Sequence, residues 1–123
     1  MSNHGFKRNE RLQDELHRAL SELLLGEIKE PRVQGVIITR VEVTPDLQNA
    51  KAYFRSLHAT SENAQAIADI EIGFRKIAGL IRHHLGKDFR LKKIPHFHFI
   101  FDRGQDDVNR IDHLLKQIAT NAA

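Results

Sequence analysis

The sequence predicts an α+β fold: a three-stranded sheet with its helices gathered on one face. Three observations carry this. Apolar residues recur at spacings of three and four over 12–24 and again over 67–85, the period of a helix with one buried side. Apolar and polar residues alternate over 39–43, 50–56 and 96–101, the period of a half-buried strand. The resulting order, α-β-β-α(-α)-β-α, packs most simply as two layers.

The first helix holds Leu12, Leu16, Ala19, Leu20, Leu23 and Leu24 on its apolar stripe, with Arg11, Asp14, Glu15, Arg18 and Glu22 opposite. Gly26 is its expected stop, with Pro31 as a hard limit. Residues 35–43 are rich in β-branched side chains and predict a strand with Ile37, Thr39, Val41 and Val43 inward. Thr44-Pro45-Asp46-Leu47-Gln48-Asn49 is a turn, because Asp46 and Asn49 can bond local backbone. Residues 50–57 form the second strand, with Ala50, Ala52 and Phe54 on one face and Lys51, Tyr53 and Arg55 on the other. The two strands make an antiparallel hairpin. Ser61 is the expected N-cap of the next helix, whose stripe is Ile67, Ile70, Phe74, Ile77, Ala78, Ile81 and Leu85. Gly73 and Gly79 interrupt it, and the periodicity allows one long helix or two joined at a kink. Pro95 opens a third strand whose Phe97, Phe99 and Phe101 face the core. Asp106 or Asp107 caps a last helix with the stripe Val108, Ile111, Leu114, Leu115 and Ile118.

The chain has 123 residues, 41% hydrophobic and 28% charged, the size and balance of one globular domain spanning 1–123. Its core is expected over about 6–118, with Met1–Gly5 and Thr120–Ala123 loose. The absence of cysteine excludes disulfides, thiolate metal sites and thiol catalysis. No apolar run approaches the roughly 18–20 residues that span a bilayer. No export signal is visible, so a cytoplasmic protein with no membrane partner is expected.

The charge is unevenly placed. Formal net charge is +3, yet residues 72–93 carry seven basic side chains against Asp88 alone, a local +6 on a body that sums to −3. Arg75 and Arg82 are seven apart, two helical turns, and Lys76 and His83 repeat the interval on a neighbouring row. Lys87, Arg90, Lys92 and Lys93 carry the charge into the following segment. A cationic ridge of this kind tracks phosphates, and arginine adds bidentate contacts. Stacking groups are scarce, with Tyr53 the only attractive candidate, so backbone and shape of a folded RNA are the expected target.

Other chemistries have weaker support. Of eight histidines only His96 and His98 share a useful spacing, and zinc needs at least three convergent ligands, so no metal site is expected. Asp102, Asp106 and Asp107 could in principle hold magnesium for a nuclease, but caps and turns explain them better. No phosphate loop, dinucleotide turn or nucleophile elbow is present. An acidic protein as the ridge's partner is the alternative from another class.

Three strings then carry a resemblance. They are Glu30-Pro31-Arg32-Val33, the hairpin Val41–Tyr53, and the run Ile81–Asp102 containing Arg82-His83-His84-Leu85-Gly86-Lys87 and Lys92-Lys93-Ile94-Pro95. With the element order they resemble the ribosome-binding factor A family over about residues 6–118. The resemblance implies a type II KH-like fold, α-β-β-α-kink-α-β with an extra C-terminal helix, the kink falling at Ile77-Ala78-Gly79 where the family usually has alanine first. It implies a non-enzymatic factor, needing no cofactor and acting as a monomer. Such a factor binds 16S ribosomal RNA and the free, immature small (30S) subunit. It assists late maturation, including 5′-end processing, and growth in the cold. The RNA-binding residues it implies are Arg75, Lys76, Gly79, Arg82, His83, Lys87, Arg90, Lys92 and Lys93.

Overall fold

The computed structural model describes residues 3–60, 62–88 and 94–104. Its elements are α1 (Asn3–Leu25), a short 3-10 turn (Pro31–Val33), β1 (Val36–Val43), β2 (Asn49–Ser56), α2 (Ala64–Asp88) and β3 (His96–Phe101). The sheet order is β1-β2-β3. β1 and β2 are an antiparallel hairpin; β2 and β3 are parallel, so the chain crosses over through α2. The expected C-terminal helix lies outside the described residues.

Burial follows the two periods. Leu16, Leu20, Leu23 and Leu24 on α1, and Ile67, Ile70, Phe74, Ile77, Ile81 and Leu85 on α2, are all buried. Ala50 and Ala52 of the central strand are fully buried. Phe54 anchors the centre, with its ring centroid 5.2 Å from Phe74 and 5.6 Å from Phe101. Phe74 and Phe99 stack at 3.9 Å, joining α2 to β3. α1 is tied to β1 by His17 Nε2 against the Ile38 carbonyl at 2.6 Å and by the Val43 N–H donating to Gln13 Oε1 at 2.9 Å. In the hairpin turn Leu47 takes a left-handed φ of 60°. Asp46 supports it, accepting from the Thr44 hydroxyl and the Gln48 N–H, and those bonds hold its carboxyl below the usual range.

Three expectations change. In β1, Ile37 is exposed and Ile38 buried, because a bulge between Ile38 and Arg40 inserts Thr39 and resets the inward phase to Val41 and Val43. α2 starts at Ala64, and Asn63 rather than Ser61 caps it, its Oδ1 accepting the Ala66 N–H at 3.0 Å. α1 already begins at Asn3, inside the stretch expected to be loose. Of the two arrangements the periodicity allows, α2 is one helix, unbroken at Ala78-Gly79 from Ala64 to Asp88. Glycine there costs about 1 kcal/mol of helix propensity. Burial of Ile77 and Ile81 on either side, about 1.5–3 kcal/mol each, outweighs it.

Candidate nucleic-acid interface

The sequence of α2 fixes what it shows to solvent. With Phe74, Ile77, Ile81 and Leu85 turned into the core, the residues between them must face out. Arg75, Lys76, Gly79, Arg82, His83 and Lys87 are all exposed. They fall into two rows. Arg75 and Arg82 lie on the flank nearest β3, where both border a slot between α2 and that strand. Lys76, His83 and Lys87 recur at intervals of seven and four along the outer crest.

Gly79 sits between the rows. It is four residues from Arg75 and His83 and three from Lys76 and Arg82, so all four are its helical neighbours. A Cβ built on it would meet nothing within 4 Å. The centre of this basic quartet is therefore bare backbone, open to close approach by a ligand.

Among the described residues, the ion pairs are Arg32 with Glu30, Arg40 with Glu42 and His84 with Glu27, and none involves Arg75, Lys76, Arg82 or Lys87. Lys76 acts on Glu30 only at a distance. The Glu30 carboxyl is held below its ordinary value first by the Arg32 N–H, and the Lys76 charge adds a smaller pull. His84 turns away from the crest, its Nδ1 3.0 Å from Glu27 Oε2 beyond the end of α1, while His83 stays exposed. Arg90, Lys92 and Lys93 lie outside the described residues, so the trailing half of the basic block has no described position.

The remaining candidates lie elsewhere. Tyr53 is on the face of the sheet opposite the helices, covered by the Arg40 guanidinium 4.0 Å from its ring centroid, and its hydroxyl donates to Glu42 at 3.3 Å. It is thus a sheet-face group, remote from the ridge. His96 and His98 are exposed on β3, where each also borders the slot, and His98 Nε2 is 3.0 Å from Asn49 Oδ1. Among the described residues no three of His, Cys, Asp and Glu come together as a metal site. Asp102 accepts from the Gly104 N–H and the Thr39 hydroxyl, at 3.0 and 2.8 Å, which makes it a latch from the end of β3 to β1. Asp106 and Asp107 lie outside the described residues.

Comparison with known proteins agrees with this architecture. A family model described as ribosome-binding factor A matches residues 8–115. The chain belongs to the ribosome-binding factor A family. A ribosome-binding factor A from Thioalkalivibrio sulfidiphilus is 40% identical over 119 residues, covering 96% of this chain and 89% of that one. The crystal structure of ribosome-binding factor A from Thermus thermophilus superposes with a TM-score of 0.67 at 18% identity, over 78% of this chain and 97% of its own. A homology model of the Thermus thermophilus factor, fitted into a cryo-EM map of its 30S complex, superposes with a TM-score of 0.60 at 17% identity, over 75% and 92%. The fold is the α+β, KH-like one of ribosome-binding factor A structures.

Sequence reasoning missed one feature of this chain. Phe97 and Phe99 are only half-buried, and the slot beside them has lobes of about 240 and 150 Å³. Phe74, Ala78, Phe97 and Phe99 form its apolar wall. The alternation of 96–101 correctly put the phenylalanines on the core side, but it carries no signal for how far α2 stands from the edge strand.

Proposed function

We propose that this chain is a non-enzymatic assembly factor that binds the free, immature small ribosomal subunit through 16S ribosomal RNA. The supporting observation is the pair of exposed cationic rows on α2, Arg75–Arg82 and Lys76–His83–Lys87, set around the bare backbone of Gly79. Arg90, Lys92 and Lys93 extend the same charge along the sequence. Membership of the ribosome-binding factor A family supports a ribosomal partner over an acidic protein. The fitting of the Thermus thermophilus homologue into a 30S complex supports the small subunit.

The mechanism is a population shift with no covalent step. A protein that binds one RNA conformation tenfold better than another favours it by about 1.4 kcal/mol. Contacts to phosphates and sugars serve that purpose, because they read the spacing of strands in a folded RNA. Holding a precursor conformation in this way would keep the 5′ end of the 16S RNA open to processing late in maturation. Misfolded RNA escapes its traps more slowly in the cold, so the demand for such a factor rises at low temperature. The factor acts as a cytoplasmic monomer without a cofactor.

Co-sedimentation with purified free small subunits and with intact ribosomes, across a salt series, tests this reading. Binding to free subunits that weakens steeply with salt, and little binding to intact ribosomes, is expected. Equal binding to both, or binding indifferent to salt, would refute it.

A further inference from the structure

The face of the sheet turned away from the helices carries most of the exposed apolar side chains. Among the described residues the large ones are Leu25, Ile37, Leu57, Leu80 and Ile100, and Ile37, Leu57 and Ile100 lie on this face. Ile37 precedes the buried Ile38, and Ile100 precedes the buried Phe101, so both point outward. The Leu57 N–H donates to the Gly35 carbonyl at 3.1 Å, which carries the β1–β2 ladder one pair further. Leu57 therefore lies on the side of Arg55, two residues before it, and Arg55 faces Ile37 across the ladder. Tyr53 is the next outward residue of β2, with Ile100 beside it on β3. By strand spacing the two isoleucines stand about 12 Å apart.

Cations frame this surface. Lys51 is exposed and pairs with no carboxylate among the described residues. Arg40 lies over Tyr53, and Arg55 donates to the Asp102 carbonyl at 2.8 Å. The acids are engaged locally: Glu42 with Arg40 and the Tyr53 hydroxyl, Asp102 with the Thr39 hydroxyl and the Gly104 N–H.

We infer that Ile37, Leu57 and Ile100 seat this face on an acidic protein surface of the small ribosomal subunit, while α2 holds the RNA. RNA is the poorer occupant here. Bases stack on flat aromatic groups, whereas these side chains are branched aliphatics and the Tyr53 ring is already covered by Arg40. A second copy of this chain is poorer too, because two-fold pairing sets a patch against itself and would bring the Arg40, Lys51 and Arg55 charges of both copies together. A protein surface with apolar side chains between carboxylates satisfies both features, and an apolar centre with a polar rim is the usual anatomy of such contacts. The two-layer fold sets this face and the exposed rows of α2 on opposite sides, so both can be engaged at once. Protein carboxylates lack the condensed counterions that phosphates release, so this contact adds little to the salt dependence of binding. Placing the partner on the subunit rests on the function proposed above.

The test compares affinity for purified free small subunits with affinity for protein-free 16S RNA. One variant carries Ile37→Thr, Leu57→Ser and Ile100→Thr, the threonines keeping β-branched residues in the strands. Another carries Lys51→Glu. Each should bind subunits at least tenfold more weakly than wild type, and the RNA within twofold of wild type. An unchanged affinity of the triple variant for subunits, or an equal loss on RNA, overturns the docking face. A loss with the triple variant but none with Lys51→Glu overturns the acidic partner. Wild-type protein that binds subunits but not RNA refutes the RNA reading above, while the subunit measurements still report on this face. Should the triple variant lose the wild-type circular dichroism spectrum, Leu57→Ser alone, just beyond β2 and at a side chain 75% exposed, should still weaken subunit binding at least threefold. No change with that variant overturns the docking face as well.

Discussion

Gly73 and Arg32 meet where only glycine fits. A Cβ built on Gly73 would stand 2.7 Å from the Arg32 Cβ and 3.1 Å from Val33 Cγ1, so α2 presses its backbone directly on the 3-10 turn. The glycine six residues on, Gly79, faces open space. Two residues of the same type in one helix therefore have opposite reasons to be there.

The two glycines should respond in opposite directions to alanine. Gly73→Ala gains about 1 kcal/mol of helix propensity but overpacks the contact with Arg32 Cβ and Val33 Cγ1, and overpacking typically costs about 1–3 kcal/mol, so its urea midpoint should fall. Gly79→Ala meets nothing and keeps the propensity gain, so its midpoint should rise. Because it also covers the bare backbone between the cationic rows, Gly79→Ala should weaken RNA binding while stabilising the fold. Midpoints that move together would contradict the assignment.

The cap of α2 gives a second test. Asn63→Ala removes the acceptor for the Ala66 N–H and should lower stability by about 1 kcal/mol, within the range of about 0.5–2 found for such caps. Ser61→Ala leaves the Asn63 acceptor in place and should lower stability by less than Asn63→Ala does. Equilibrium unfolding of the two variants decides between them.

Acid sensitivity should depend on Asp102. The Gly104 N–H foremost, then the Thr39 hydroxyl, and more weakly the charges of Arg40 and Arg55, hold its carboxyl below the ordinary carboxylate value. A depressed folded value means that the stabilisation is fully present above the unfolded value, near pH 4, and is lost as pH falls through the folded one. Asp102→Asn should therefore be less stable than wild type at pH 7, and the gap should narrow below about pH 4. A gap that is constant between pH 7 and pH 2 would show that the carboxylate charge does not matter to the latch.

Much of this was legible in the sequence because the periods are strong. The hairpin announces itself through Thr44-Pro45-Asp46, and the two cationic rows follow from intervals of seven residues once α2 is helical. What escaped depended on choices the local pattern leaves open. Ile37 and Ile38 are both apolar, so a bulge at Thr39 could reverse which one is buried without altering the pattern. Ser61 and Asn63 are both good caps, and the position of Ile67 in the core selects the second. The slot beside Phe97 and Phe99 depends on the distance between two elements, a quantity with no local signature.

The central claim is that the exposed rows of α2 grip phosphates. Its most direct test is the salt dependence of binding to free small subunits, for wild type and for a variant carrying Arg75→Ala, Lys76→Ala, Arg82→Ala and Lys87→Ala. Each phosphate that the variant no longer neutralises should reduce the steepness of log affinity against log salt by about 0.7–0.9, so the variant should be flatter by about 3. Lys51→Ala, on the opposite face of the sheet, should leave the slope unchanged. A slope that survives the four substitutions, or one that falls equally with Lys51→Ala, would contradict the account.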